Sequence, residues 1–151
     1  MGENVTKNTF DDLFDYLLDG EAENFALQLQ QILKAVVSVY DAANKESFYH
    51  GFMLGMTALF LGKDYTVESN RESGYGRFDL AIFPKEAGRA GVIMEFKVAA
   101  NEGEMEEKAK EALQQIEDRE YITEFQKRGI KEVWKYGIAF CGRKIVVRRS
   151  S

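Results

Sequence analysis

Three ionisable residues, Asp79, Glu95 and Lys97, lie inside stretches that otherwise read as buried β-strand. Asp79 opens Asp79-Leu80-Ala81-Ile82-Phe83; Glu95 and Lys97 close Val92-Ile93-Met94-Glu95-Phe96-Lys97-Val98. A charge buried in a sheet without a partner is strongly destabilising, so the three need a reason to be there. Strand side chains alternate between faces, which puts Glu95 and Lys97 on the same side. A hairpin centred on residue 87 pairs Asp79 with Glu95, and one centred on 88 pairs it with Lys97. Either register brings all three to one face. Opposed residues carry Cβ atoms about 4.5–5.5 Å apart, near enough for one cation to bridge both carboxylates. Asp79, Glu95, the backbone carbonyl of Phe96 and water would form an all-oxygen set that suits Mg2+ or Mn2+. Protonated Lys97 cannot be a ligand, but it can hold or help deprotonate a water and steady negative charge. Two carboxylates, a metal and a lysine fit in-line attack of water on a phosphodiester. The competing reading is a Glu–Lys salt bridge and an Asp at a strand edge, because the pattern by itself is short.

The flanking sequence supplies elements to hold these groups. Residues 10–19 read as a short helix, with Phe10, Leu13, Phe14 and Leu17 on one face, Asn8-Thr9 as its cap and Gly20 as its stop. Residues 22–43 repeat apolar positions at helical spacing (Phe25, Leu29, Ile32, Val36, Val39). Residues 46–61 form a third, apolar helix, in which Gly51 and Gly55 are expected to admit a closely packed element. Strands follow at 65–70, 78–83 and 91–98, the last two joined by a loop containing Pro84 and Gly88. Residues 103–117 make an amphipathic helix with Met105, Ala109, Ala112, Leu113 and Ile116 inward. Tyr121, Ile122 and Phe125 belong either to its kinked continuation or to a second short helix ended by Gly129. Residues 133–141 and 144–148 close the chain as a strand pair around Gly142-Arg143. The order ααα-βββ-α-ββ describes a mixed α/β sandwich with helices on a central sheet.

Composition narrows the class. At 151 residues and 45% hydrophobic content, one domain with a substantial core is expected over 1–151, its helical part at about 10–62 and its sheet part at about 63–149. One cysteine excludes a disulfide framework and a four-cysteine zinc site, one histidine argues against a histidine-rich metal centre, and a reducing cytoplasm fits. The apolar run at 48–62 is shorter than a membrane span and is broken by His50. No signal-peptide pattern opens the chain. Met1-Gly2 with Thr6 matches only loosely the myristoylation pattern, and Gly2 reads as a start-codon or cloning residue. The net charge of −5 hides a split: residues 99–126 carry nine acids and three bases, and residues 127–151 carry eight bases and one acid. The basic quarter reads as a solvated strand edge or as a surface for phosphates.

Several segments in order resemble the PD-(D/E)XK nuclease superfamily, most closely the bacterial domain that usually follows an AAA-ATPase-like domain. They are Glu46-Ser47-Phe48-Tyr49-His50-Gly51, Arg71-Glu72-Ser73-Gly74-Tyr75-Gly76-Arg77-Phe78-Asp79, Glu95-Phe96-Lys97, Ala112-Leu113-Gln114-Gln115-Ile116 with Tyr121, and Tyr136-Gly137-Ile138-Ala139-Phe140. The resemblance covers about residues 12–149. It implies a restriction-endonuclease-like α/β/α sandwich with a mixed sheet of about five strands and an N-terminal helical extension. It makes Asp79 and Glu95 metal ligands and Lys97 the catalytic lysine. Glu46 matches a first-helix acid that completes the metal shell directly or through water; as a plain sequence feature it is an acid at a helix N-terminus, favoured by the dipole. Gln115 matches a helix glutamine that bonds a phosphate or a catalytic group, with Tyr121 as support. Arg77 contacts a phosphate or pairs with Glu72, and Lys144 and Arg148 are further candidates for nucleic-acid contact. His50 reads as a packed helix residue, since a lone histidine has no ligand spacing. Phe78 stands where the superfamily name has Pro, a residue that many members lack. The chain has no Gly-rich phosphate loop, so it is expected to be an excised or a stand-alone nuclease domain.

The expectation is therefore a Mg2+- or Mn2+-dependent deoxyribonuclease, cytoplasmic, acting on DNA with RNA not excluded, off the membrane, and open to homo-oligomer formation. Two alternatives stand beside it: a catalytically silent nucleic-acid- or protein-binding module of the same fold, and a junction-resolving nuclease that presents two sites in a dimer.

Overall fold

The computed structural model describes residues 5–37, 45–69, 78–119 and 121–151. The helices are α1 (Lys7–Leu18), α2 (Ala22–Val36), α3 (Glu46–Leu61), α4 (Met105–Asp118) and α5 (Ile122–Lys127). The strands are β1 (Tyr65–Ser69), β2 (Leu80–Pro84), β3 (Gly91–Val98), β4 (Val133–Cys141) and β5 (Lys144–Ser150). One five-stranded sheet runs β1-β2-β3-β4-β5. Neighbours are antiparallel except β3 and β4, which are parallel. A parallel pair cannot be joined by a tight turn, and α4 and α5 form the crossover between them.

Strand parity divides the core into two layers. Leu80, Ile82, Val92, Met94, Phe96, Tyr136, Ile138 and Phe140 pack with α1, α2 and α3. Ala81, Phe83 and Ile93 pack on the other face with Ile116 of α4, Tyr121 and Phe125. The first six residues of β3 are all buried, as expected of a strand covered on both faces. Asp79, Glu95 and Lys97 have the odd parity of the α4 layer. Gly137, opposite Glu95 in the β3–β4 register, has it too. A Cβ on Gly137 would meet the Ala109 carbonyl oxygen and come within 2.6 Å of the Leu113 amide nitrogen, so α4 sits directly on the backbone of β4.

Several boundaries differ from the sequence reading. Helix α1 begins at Lys7, with Thr6 rather than Asn8-Thr9 at its cap; the Thr6 N–H donates to Thr9 Oγ1 at 3.1 Å. Its stop at Gly20 holds, with φ of 76°. The last carbonyls of α1 are taken by β4: Trp134 Nε1 donates to Leu18 O at 2.9 Å and the Tyr136 hydroxyl to Leu17 O at 2.8 Å. Helix α2 stops at Val36 and Val37 is extended, short of the expected 43; residues 38–44 lie outside the described residues. Tyr121, Ile122 and Phe125 belong to a separate turn and short helix, and Gly129 follows with φ of 78°. β2 starts at Leu80, two residues later than expected, because Asp79 uses its side chain on the neighbouring strand. No element among the described residues makes the close approach expected at Gly51 and Gly55. Among the described residues nothing lies within 4 Å of a Cβ placed on either, and the face they share with Leu59 (78% exposed) is open.

The charge split closes on itself. Acidic α4 lies across the basic strand pair, and Lys135 meets Glu117 at 3.2 Å, while Lys144 meets Glu102, in the turn before α4, at 2.8 Å. Arg148 Nε donates to Glu106 Oε1 at 3.0 Å. These exposed pairs contribute little each, roughly 0–1 kcal/mol. Lys144 and Arg148, expected as candidates for nucleic-acid contact, are thus engaged by acids of their own chain.

Candidate active site

The β2–β3 hairpin takes the register centred on residue 87: Leu80 opposes Met94, Ala81 opposes Ile93, and Ile82 opposes Val92. Past Leu80 the regular pairing ends: the Asp79 N–H donates to Met94 O at 3.2 Å, and the Asp79 carboxylate lies near enough to Glu95 for the two charges to interact. The Asp79 carboxylate then continues the ladder in place of backbone, its Oδ2 accepting the Phe96 N–H at 2.7 Å. Phe96 lies two residues past Met94, so its carbonyl points to the same side as the Met94 carbonyl, toward Asp79. Helix α3 fixes the other end of Asp79. His50 Nε2 lies 3.0 Å from the Asp79 carbonyl oxygen and, because a carbonyl only accepts, carries the proton in that bond. The sequence reading treated His50 as a packing residue. Its ring does lie edge-on to Phe96 at 6.3 Å, but the hydrogen bond ties it to the site. Only spacing could have shown this: His50 is one helical turn beyond Glu46.

Helix α4 supplies Gln115. With its amide turned so that nitrogen meets carboxylate and oxygen meets ammonium, Gln115 donates to Glu95 Oε2 at 3.1 Å and accepts from Lys97 Nζ at 3.2 Å. That orientation follows from hydrogen-bond chemistry. Gln115 thus lies within hydrogen-bond reach of both Glu95 and Lys97. Gly137 makes the reach possible, because α4 could not lie this close over a side chain.

The remaining oxygen of Glu95 is the anomaly. Among the described residues nothing hydrogen-bonds Oε1, although the atom is buried and Glu95 as a whole is only 7% exposed. Burial, and then the neighbouring Asp79 carboxylate, push the Glu95 pKa up to about 8; the charges of Arg119 and Lys97 oppose the rise, and that of Glu46 adds to it. Asp79 is raised as well, mainly by burial and also by Glu46, against the Phe96 N–H, His50 and Lys97. Two crowded carboxylates with an unmet buried oxygen are the donor set that a hard divalent cation relieves. Asp79, Glu95 and the Phe96 carbonyl fit that role. Glu46, exposed in the first turn of α3, acts on both carboxylates through its charge. Among the described residues no three His, Cys, Asp or Glu side chains group as a metal-holding cluster. Arg77 and Glu72 lie outside the described residues.

The sequence reading also passed over Arg119. It sits at the C-cap of α4, and its Nη1 donates to the Tyr121 hydroxyl at 3.3 Å. The signal available was its place four residues after Gln115. A cleft of about 430 Å3 at the opposite end of the sheet, lined by Asp15, Asp19, Tyr65, Arg89, Glu132 and Trp134 among others, holds none of these groups.

A mixed five-stranded sheet flanked by helices, with one acid entering β2 and an acid and a lysine on β3, defines a restriction-endonuclease-like α/β fold. The model of the PD-(D/E)XK nuclease superfamily matches residues 44–150, and the chain belongs to that superfamily. PD-(D/E)XK nucleases generally use divalent metal ions. A comparison with curated proteins finds no match. No helix among the described residues is long and apolar enough to cross a membrane.

Proposed function

We propose that the protein is a Mg2+- or Mn2+-dependent nuclease that hydrolyses the phosphodiester bonds of DNA. The observation that carries this reading is the buried, unmet Oε1 of Glu95 beside Asp79, within a network that also holds Lys97. A structural Glu–Lys pair would have spent that oxygen. Asp79 and Glu95 would hold the ion with the Phe96 carbonyl, and Glu46 would reach it through water. When bound, such an ion supplies Lewis-acid polarisation of a phosphoryl oxygen and lowers the pKa of water toward neutrality. Lys97, steered by Gln115, orients the attacking water and sets positive charge where charge develops on the phosphate. Gln115 couples the two halves, since one amide fixes both the carboxylate and the ammonium. His50 holds the backbone of Asp79 from the far side. The single cysteine suits a reducing cytoplasm.

The test is incubation with linear duplex, circular duplex, single-stranded DNA and RNA, each with Mg2+, Mn2+ or EDTA. Cleavage of DNA with either metal, abolished by EDTA and by Asp79→Ala or Lys97→Ala, is expected. Cutting that persists in EDTA, or in both variants, overturns the mechanism. A gel shift without cutting in any metal favours the silent binding module, and cutting of RNA alone corrects the substrate.

A further inference from the structure

Arg119 stands one turn beyond Gln115, and its backbone N–H still closes on the Gln115 carbonyl at 3.2 Å. Residues four apart share a helix face, so the face that carries Gln115 onto Glu95 and Lys97 also carries Arg119. The guanidinium is exposed but anchored. The Tyr121 hydroxyl that accepts from it belongs to a side chain only 6% exposed. The Tyr121 ring meets Phe78, the residue before Asp79, edge-on at 5.5 Å. Arg119 is therefore tied to the same small frame as the metal-side carboxylates, and its charge acts on both Glu95 and Asp79.

Resting on the nuclease reading, we propose that Arg119 binds the backbone phosphate that is delivered to Asp79 and Glu95, with the Tyr121 hydroxyl holding the guanidinium at the rim. A guanidinium presents five N–H donors in a rigid fork that matches phosphate oxygens, and it stays charged at any working pH. In metal-free protein its charge compensates the two carboxylates. A divalent cation held by Asp79 and Glu95 would meet their charge, leaving that of the guanidinium to attract an incoming anion. The competing reading, a counter-charge and nothing more, leads to different measurements.

The experiment compares wild type, Arg119→Ala, Arg119→Lys and Tyr121→Phe, each checked by thermal melting. One arm measures steady-state cleavage of a fluorescent DNA duplex with Mn2+. A second measures affinity for the same duplex in EDTA over a range of salt. A third measures Mn2+ affinity without DNA. Arg119→Ala is expected to lower kcat/KM about tenfold to a hundredfold. Its log affinity against log salt should be shallower by about one unit, the signature of one lost phosphate contact. Mn2+ affinity should hold or tighten. Arg119→Lys should restore the salt slope but not the full rate, and Tyr121→Phe should raise KM more than it lowers kcat. An Arg119→Ala salt slope equal to that of wild type, whatever happens to Mn2+ affinity, overturns the inference. Wild type that cuts no nucleic acid overturns the nuclease reading instead, and the salt arm still decides for Arg119.

Discussion

Replacing Glu95 by glutamine should make the metal-free protein more stable in mild base, and the size can be worked from the site. The folded protein holds the Glu95 proton up to a pKa of about 8, whereas the unfolded chain releases it near the ordinary value of 4.5. Between those values the native state binds more protons than the unfolded state, so stability falls as pH rises. The contribution is fully present below the unfolded pKa and is lost as pH rises through the folded one. From about pH 6 to about pH 8.5 the loss from this group amounts to roughly 2.5 kcal/mol. Glu95→Gln keeps the shape and the bond to Gln115 but cannot ionise. Asp79 is raised in the same direction and remains in both proteins, as do all other groups that titrate in this window. Urea unfolding in EDTA at the two pH values, for both proteins, isolates the term. With a slope of about 2 kcal/mol per M, the wild-type midpoint should fall by roughly 1 M more than that of the variant. Mg2+ at the higher pH should then return stability to wild type and much less to Glu95→Gln, because the ion binds only the folded site. Equal midpoint shifts in the two proteins would refute the reasoning, since Glu95 would then be ionised without penalty and would need no cation.

Gln115→Leu removes the bridge between Glu95 and Lys97 and should lower kcat by about tenfold to a hundredfold while the fold survives, as read by single-turnover cleavage beside circular dichroism. Gly137→Ala places a methyl against the Ala109 carbonyl and the Leu113 amide; lifting α4 from β4 should cost about 1–3 kcal/mol in urea unfolding and weaken activity through the displaced Gln115. His50→Ala releases the Asp79 carbonyl and should weaken Mn2+ binding measured by calorimetry, while His50→Gln, which keeps an N–H donor, should recover part of it.

The sheet was legible in short apolar runs bounded by turn residues, and period two then fixed which side chains share a face. Parity placed the charges at 79, 95 and 97 on one face in either register, and the observed register is one of the two that it allowed. Helix ends were less legible. The choice of Thr6 over Asn8-Thr9 depends on a side-chain bond that several polar residues could have made. The paired glycines of α3 looked like a packing groove, but small residues permit close approach without supplying a partner. Gln115 was found through its motif, but its double contact depends on how near α4 comes to β4, a distance set by Gly137 on another strand. His50 and Arg119 stayed hidden for a similar reason. One hydrogen-bonds a backbone carbonyl and the other a tyrosine hydroxyl, and a four-residue spacing from Glu46 or Gln115 does not by itself distinguish such a contact from a solvated helix face.

The Asp79 carboxylate on the Phe96 N–H has a consequence outside catalysis. β2 pairs with β3 only as far as Leu80 and Met94, whereas β4 continues along β3 to Val98. The last residues of β3 therefore show one rim that no described strand covers. An uncovered rim of backbone donors and acceptors is a template on which another extended chain can add itself, and proteins that leave one open are prone to edge-to-edge aggregation. Asp79 plugs the donor of that rim with a short anionic side chain, which a visiting strand would have to displace. The acid proposed to hold an ion thus also occupies the Phe96 N–H, a donor that an added strand would need.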